Sequence, residues 1–69
     1  MTYEEFIEAV EQLHREEPRW RWGQCLFNKL MNLRPDLSER LRGTNLDPFY
    51  FGKDHPVTIK AVGWIKEKW

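Results

Sequence analysis

The sequence predicts a small all-α domain, one bundle of three to four short helices over residues 1–69, and three observations lead there. Apolar residues recur at three- and four-residue steps from Tyr3 to His14 and again from Gln24 to Leu33, the spacing that lines one face of a helix. Helix punctuation falls where those patterns start and stop, at Thr2, Pro18, Arg34-Pro35 and Gly43. A strand would find no partner elsewhere in the chain, and an isolated strand is not stable in water.

Thr2 followed by Glu5 has capping-box spacing, so the first helix is expected to begin at Tyr3. Tyr3, Phe6, Ile7, Val10, Leu13 and His14 form its apolar stripe, and Glu4, Glu8, Glu11 and Gln12 its wet side. The helix should end before Pro18. Glu11 and Arg15 stand four apart in the order that favours an exposed ion pair.

Pro18 to Gly23 reads as a connection in which Trp20 and Trp22 alternate with Arg19 and Arg21. Alternation sends neighbours to opposite sides, which predicts a short extended segment with one indole in the core. An arginine stacked on an exposed indole would add about 0.5–1 kcal/mol. The central helix is expected over Gln24–Leu33, with Leu26, Phe27, Leu30, Met31 and Leu33 inward and Asn28, Lys29 and Asn32 outward.

Arg34 precedes a proline and is biased out of the helical region, while Pro35 suits the first turn of a new helix. Asp36 and Glu39 complement the positive end of that helix dipole and Arg40 and Arg42 the negative end. Leu37 and Leu41 supply its i, i+4 contact, and Gly43 a left-handed cap. Asp47 before Pro48 is expected to cap a helical turn through Phe49, Tyr50 and Phe51. Three successive aromatics cannot share one face, so at least one should meet solvent or a partner. After the loop Gly52-Lys53-Asp54, Asp54 is the expected cap of a last helix opened by Pro56.

The segment 57–69 carries opposing signals. Val57, Thr58, Ile59 and Val62 are β-branched and Gly63 is a poor helix former. Helical spacing nevertheless groups Val57, Ala61, Trp64 and Ile65 and leaves Lys60, Lys66, Glu67 and Lys68 outside, so a helix is predicted.

A chain of 69 residues buries only about 60% of the surface its unfolded form exposes, so its core must be dense. Ten aromatics, four of them Trp, can supply that density. Dimerisation would be a further source of stability. A single cysteine, Cys25, rules out an internal disulfide framework and fits a reduced thiol in the cytoplasm. No run of about 18 apolar residues is present to cross a membrane, and the acidic start is unlike a signal peptide.

The net charge is zero but unevenly spread: residues 1–17 carry six acids and one base, residues 18–43 six bases and two acids. Such a dipolar chain can steer toward a charged partner, or its first helix can pair with the middle of its own fold. The second reading is preferred here because no face is uniformly basic.

No catalytic residue, cofactor or metal ligand is predicted. His14, Cys25 and His55 stand in no metal-binding spacing. A Cys-His nucleophilic pair would need Cys25 in an environment that lowers its pKa, whereas it falls in the helix expected to be most buried. His55, between Asp54 and Pro56, reads as a loop or cap residue. The carboxylate pairs Glu4-Glu5 and Glu16-Glu17 sit where exposed acids need no catalytic role, and the four glycines are scattered singly.

Two binding readings remain. Arg19, Arg21, Arg34, Arg40 and Arg42 lie among aromatics, and basic groups with stacking rings are the ingredients of nucleic-acid binding through residues 19–42. A helix-turn-helix built from the second and third helices would have a short reading helix bearing Asp36 and Glu39, which argues against it, as does the neutral net charge. A protein-binding module is the preferred reading, because the aromatics exceed what so small a core can cover. Trp, Tyr and Arg dominate interface energetics. The candidate partner-binding residues are Arg19, Trp20, Arg21, Arg40, Arg42, Phe49, Tyr50 and Trp69, with Trp69 and one of Phe49–Phe51 expected to stand clear of the core.

The series Trp22-Gly23-Gln24 to Phe27-Asn28, Arg34-Pro35-Asp36-Leu37, Arg42-Gly43-Thr44 and Asp47-Pro48-Phe49-Tyr50 resembles a group of short uncharacterised proteins encoded by bacteria, phages and prophages. The likeness covers roughly the middle half of the chain. It implies a small intracellular protein, phage-borne or bacterial, and carries over no catalytic residue.

Overall fold

The computed structural model describes residues Met1–Trp69 and contains four helices: α1 Tyr3–Glu16, α2 Trp22–Leu33, α3 Pro35–Leu41 and α4 Pro56–Lys68, with no strand. The chain is a small all-α domain, as its periodicity predicts. α1 opens with the expected capping box, in which the Glu5 N–H donates to Thr2 Oγ1 at 3.1 Å and the Thr2 N–H donates to Glu5 Oε1 at 2.8 Å. Phe6 and Val10 are fully buried on its inner face.

α2 is the centre of the core and begins earlier than its periodicity indicates. Trp22 and Gly23 belong to its first turn rather than to an extended connection. The cause is long-range: the loop after α3 packs onto this turn, and the Gly23 N–H donates to the Phe51 carbonyl at 2.9 Å. A β-carbon at position 23 would overlap the Pro48 carbonyl oxygen, so only glycine allows the two backbones to approach this closely. Trp22 is the indole that enters the core, and Trp20 packs half-buried at its edge.

The inner face of α2 is shifted from the expected one, toward Trp22, Gly23 and Cys25. Cys25, Leu26, Phe27 and Leu30 are buried, but Met31 and Leu33 remain 39% and 38% exposed. α3 covers part of this helix with Leu37 and Leu41, and the Ser38 hydroxyl donates to the Pro35 carbonyl. Gly43 has φ 71°, the left-handed conformation its position calls for.

Beyond it the Asp47 carboxylate closes the loop, accepting from the Gly43 N–H at 2.8 Å through Oδ2 and from the Phe49 N–H at 3.1 Å through Oδ1. Residues 48–51 make a single turn, closed by the Phe51 N–H on the Pro48 carbonyl.

α4 is helical, and Thr58, Ala61 and Ile65 are its fully buried residues. Its cap is His55 rather than Asp54: Nδ1 of His55 accepts from the Val57 N–H at 3.1 Å, and the imidazole stacks on Phe51 with centroids 4.0 Å apart. The stack holds the ring in capping position, so His55 is a cap residue as read from its place between Asp54 and Pro56, and the Asp54 cap is the expectation corrected.

Three further expectations are corrected. Trp69 does not stand clear of the core: it stacks on Phe6 and meets Tyr3 edge-on, and its indole N–H donates to the Met1 carbonyl at 3.0 Å. Arg34 reinforces this, donating to the Trp69 carbonyl and placing its guanidinium 5.2 Å from the ring centroid. Glu11 does not pair with Arg15, because Lys53 reaches it at 2.9 Å and the Trp22 indole N–H donates to it at 3.2 Å. Arg15 donates to Gln12 instead. The acids of α1 also do not pair with the basic middle of the chain; the one ion pair of α1 runs to Lys53.

Candidate functional site

Of the residues singled out in sequence, Arg42, Phe49 and Tyr50 come together. They line a groove of about 260 Å³ with Phe27, Met31 and Asp47. The groove exists because α2 presents Phe27 and Met31 on one side, one turn apart, while the Asp47-closed loop folds Phe49 back against them. Phe27 and Phe49 meet edge to face with centroids 6.1 Å apart, and Phe49 meets Tyr50 in the same way at 5.0 Å. Tyr50 is thus seated on a buttressed ring while 71% of its own surface faces solvent. Tyr50 is the member of the aromatic triplet left outside.

The polar partner in the groove is Arg42. Its guanidinium leans on the Met31 sulfur at 3.5 Å and has Glu39 at 3.8 Å, a long contact between two exposed groups that holds it weakly. Both carboxylate oxygens of Asp47 are engaged by backbone N–H groups. Arg42 therefore supplies the donors for an incoming group, and Tyr50 and Met31 the apolar contact.

The other candidates lie apart. Arg19 and Arg21 are exposed in the α1–α2 connection and Trp20 is half-buried beside them. Arg40 is on α3 with its guanidinium 5.4 Å from the Trp64 ring centroid, an internal contact between α3 and α4. Trp69 is committed to α1.

A second and larger groove, about 340 Å³, runs between α1 and α4. Tyr3 and Ile7 line one wall, Ile59 and Val62 the other, and Glu11, Trp22, Lys53 and Asp54 close one end. Sequence reading missed it, because the Glu11–Lys53 pair spans forty-two positions and only the tertiary placement of α4 beside α1 brings the apolar walls together. One signal was present: Ile59, Val62, Gly63 and Lys66 share a second stripe on α4, distinct from the buried one.

Titrating groups follow these contacts. The Glu11 carboxyl is held below the usual carboxylate range by the hydrogen bond from Lys53, with a smaller contribution from the Trp22 indole. Burial pushes the Cys25 thiol up, and the charge of Glu17 adds to this. Burial likewise raises the Tyr3 phenol. No three His, Cys, Asp or Glu side chains gather in a metal-binding group, and no helix is long and apolar enough to cross a membrane. The chain matches no protein-family model, no curated protein and no solved structure.

Proposed function

We propose that this chain is a non-enzymatic protein-binding module whose contact surface is the groove beside Tyr50. The observation that carries the reading is the convergence of Arg42, Phe49 and Tyr50 with Met31 on one concave patch. An exposed Tyr on a rigid aromatic base, next to a weakly held Arg, has the composition of an interface hot spot. The groove suits a partner that offers an apolar side chain to Met31 and Tyr50 and an acceptor, such as a carboxylate or a backbone carbonyl, to Arg42. A raised thiol at Cys25 supports a structural rather than a nucleophilic role, since the thiolate is the reactive form. The resemblance to short bacterial and phage proteins supports an accessory that engages a host or viral protein in the cytoplasm.

Nucleic-acid binding is the second reading, favoured by one observation: Arg42 and the free face of Tyr50 lie side by side, as a phosphate contact and a stacking platform would. Glu39 and Asp47 beside them weigh against a polyanion.

The test is a pull-down of the tagged chain from native lysate with and without nuclease, repeated with Tyr50→Ala and Arg42→Ala. A nuclease-resistant protein captured by the wild type and lost with both variants, at unchanged far-UV circular dichroism, is the expected result. Loss of the captured material on nuclease treatment, with affinity falling steeply in salt, would transfer the groove to nucleic acid.

A further inference from the structure

We infer that the α1–α4 groove is the contact face for a second copy of this chain: it shares no residue with the groove beside Tyr50 and takes self rather than a foreign partner. The walls are apolar and open. Ile59 is 59% exposed, Val62 and Ile7 are half-buried, and nothing lies within 4 Å of where a Gly63 side chain would begin. A bare helix face at Gly63 lets a neighbouring helix come close, since interaxial distance is set by the side chains at the contact.

The charges at the rims select the occupant. Helical spacing sets Glu4, Glu8 and Glu11 along the outer edge of α1 beside the groove, and Lys66 one turn beyond Val62 on the same stripe of α4, at the end of the groove. Neither Glu4 nor Glu8 nor Lys66 has an ion-pair partner within the chain. A uniformly basic peptide would match α1 but meet Lys66 and Lys53, and an acidic one would meet the glutamates. A partner acidic on one side and basic on the other matches both rims, and this chain is such a partner.

The geometry closes. Lys66 lies 5.8 Å from the Tyr3 ring centroid at one end of the groove, and Lys53 contacts Glu11 at the other, so α1 and α4 run antiparallel. A two-fold axis running along the groove then sets α1 of each copy opposite α4 of the other, with Glu4 near the second copy's Lys66 and the two Ile59 side chains meeting the apolar walls. Such an isologous contact is self-complementary by construction. Zero net charge leaves no overall repulsion to oppose it.

Sedimentation velocity over a wide concentration range tests this with the full chain. The wild type is expected to show a reversible monomer–dimer equilibrium. Ile59→Glu, at a position already exposed in the monomer, is expected to raise the dissociation constant by ~100-fold or more, and Lys66→Glu by ~10-fold. The double change Glu4→Lys with Lys66→Glu restores opposite charges across the interface and should recover most of the loss. Circular dichroism of each variant shows that the monomer still folds. A wild type that stays monomeric at all concentrations, or a dimer indifferent to Ile59→Glu and to the charge reversals, would overturn the inference.

Discussion

Trp69 lies stacked on Phe6, ring centroids 4.8 Å apart and planes inclined by 28°, so the residue that follows α4 clamps the first turns of α1. Its indole N–H holds the Met1 carbonyl and its own carbonyl is held by Arg34. Trp69→Ala is therefore expected to destabilise the fold by about 2–4 kcal/mol, somewhat less than the loss of a fully buried aromatic because the ring is only half-buried. Urea unfolding followed by circular dichroism measures this. A change below about 0.5 kcal/mol, the usual size for an unconstrained surface position, would show the clamp to be idle.

Gly23 stands where α2 and the 48–51 loop touch backbone to backbone. Gly23→Ala is expected to destabilise by about 3 kcal/mol, at the upper end of overpacking costs, even though alanine is the better helix former, because the clash is with a carbonyl and not with a flexible side chain. The thermal midpoint should fall sharply. A gain in stability would mean that the loop yields without cost.

Thr58 is fully buried with its hydroxyl unpartnered. Thr58→Val keeps the shape and removes the polar atom, and should stabilise by about 1 kcal/mol. For a domain of this size that raises the melting temperature by roughly 4–8 °C. Calorimetry that finds the midpoint unchanged or lowered would reveal a partner for the hydroxyl.

Glu11 links α1 to Lys53 and to Trp22, and its carboxyl is depressed in the folded state. A depressed carboxyl binds its proton less readily when folded than when unfolded. Its stabilising contribution is therefore complete above its ordinary value of roughly pH 4.3 and is lost as pH falls through the lower folded value. Glu5 and Asp36 are depressed as well, by Thr2 and Arg34 respectively, and act in the same direction. Stability measured from pH 7 down to pH 2 should fall in that acidic window, and Glu11→Gln should reduce the size of the fall. An identical acid limb in the variant would count against the bridge.

Local signals made much of this fold legible. The Thr2–Glu5 box, Pro35 and Gly43 act within a few residues of themselves, and each stands where its chemistry places it. What escaped depends on contacts between distant positions. Nothing near Trp22 announces that Phe51 will cap its turn, nothing near Arg15 announces that Lys53 will take Glu11 instead, and an aromatic after a Lys-rich helix end reads as free until Phe6 is beneath it. Periodicity places Met31 and Leu33 inward, but which part of a helix face is covered depends on what packs against it.

The binding candidates divide the same way. Tyr50 was legible as one ring too many in a triplet, and Arg42 as a basic residue at a helix end. Their meeting with Met31, and the whole α1–α4 groove, depend on tertiary docking.

The Asp47 carboxylate, clasping the N–H groups of Gly43 and Phe49, has a consequence for how tightly any partner can be held. A loop pinned at both ends has already given up its conformational entropy on folding, so an incoming partner need not freeze it again, and ordering costs at an interface are a main reason that buried area fails to become affinity. Tyr50 is in this sense a preorganised probe on a rigid mount, whose association rate should be limited by encounter and orientation rather than by rearrangement.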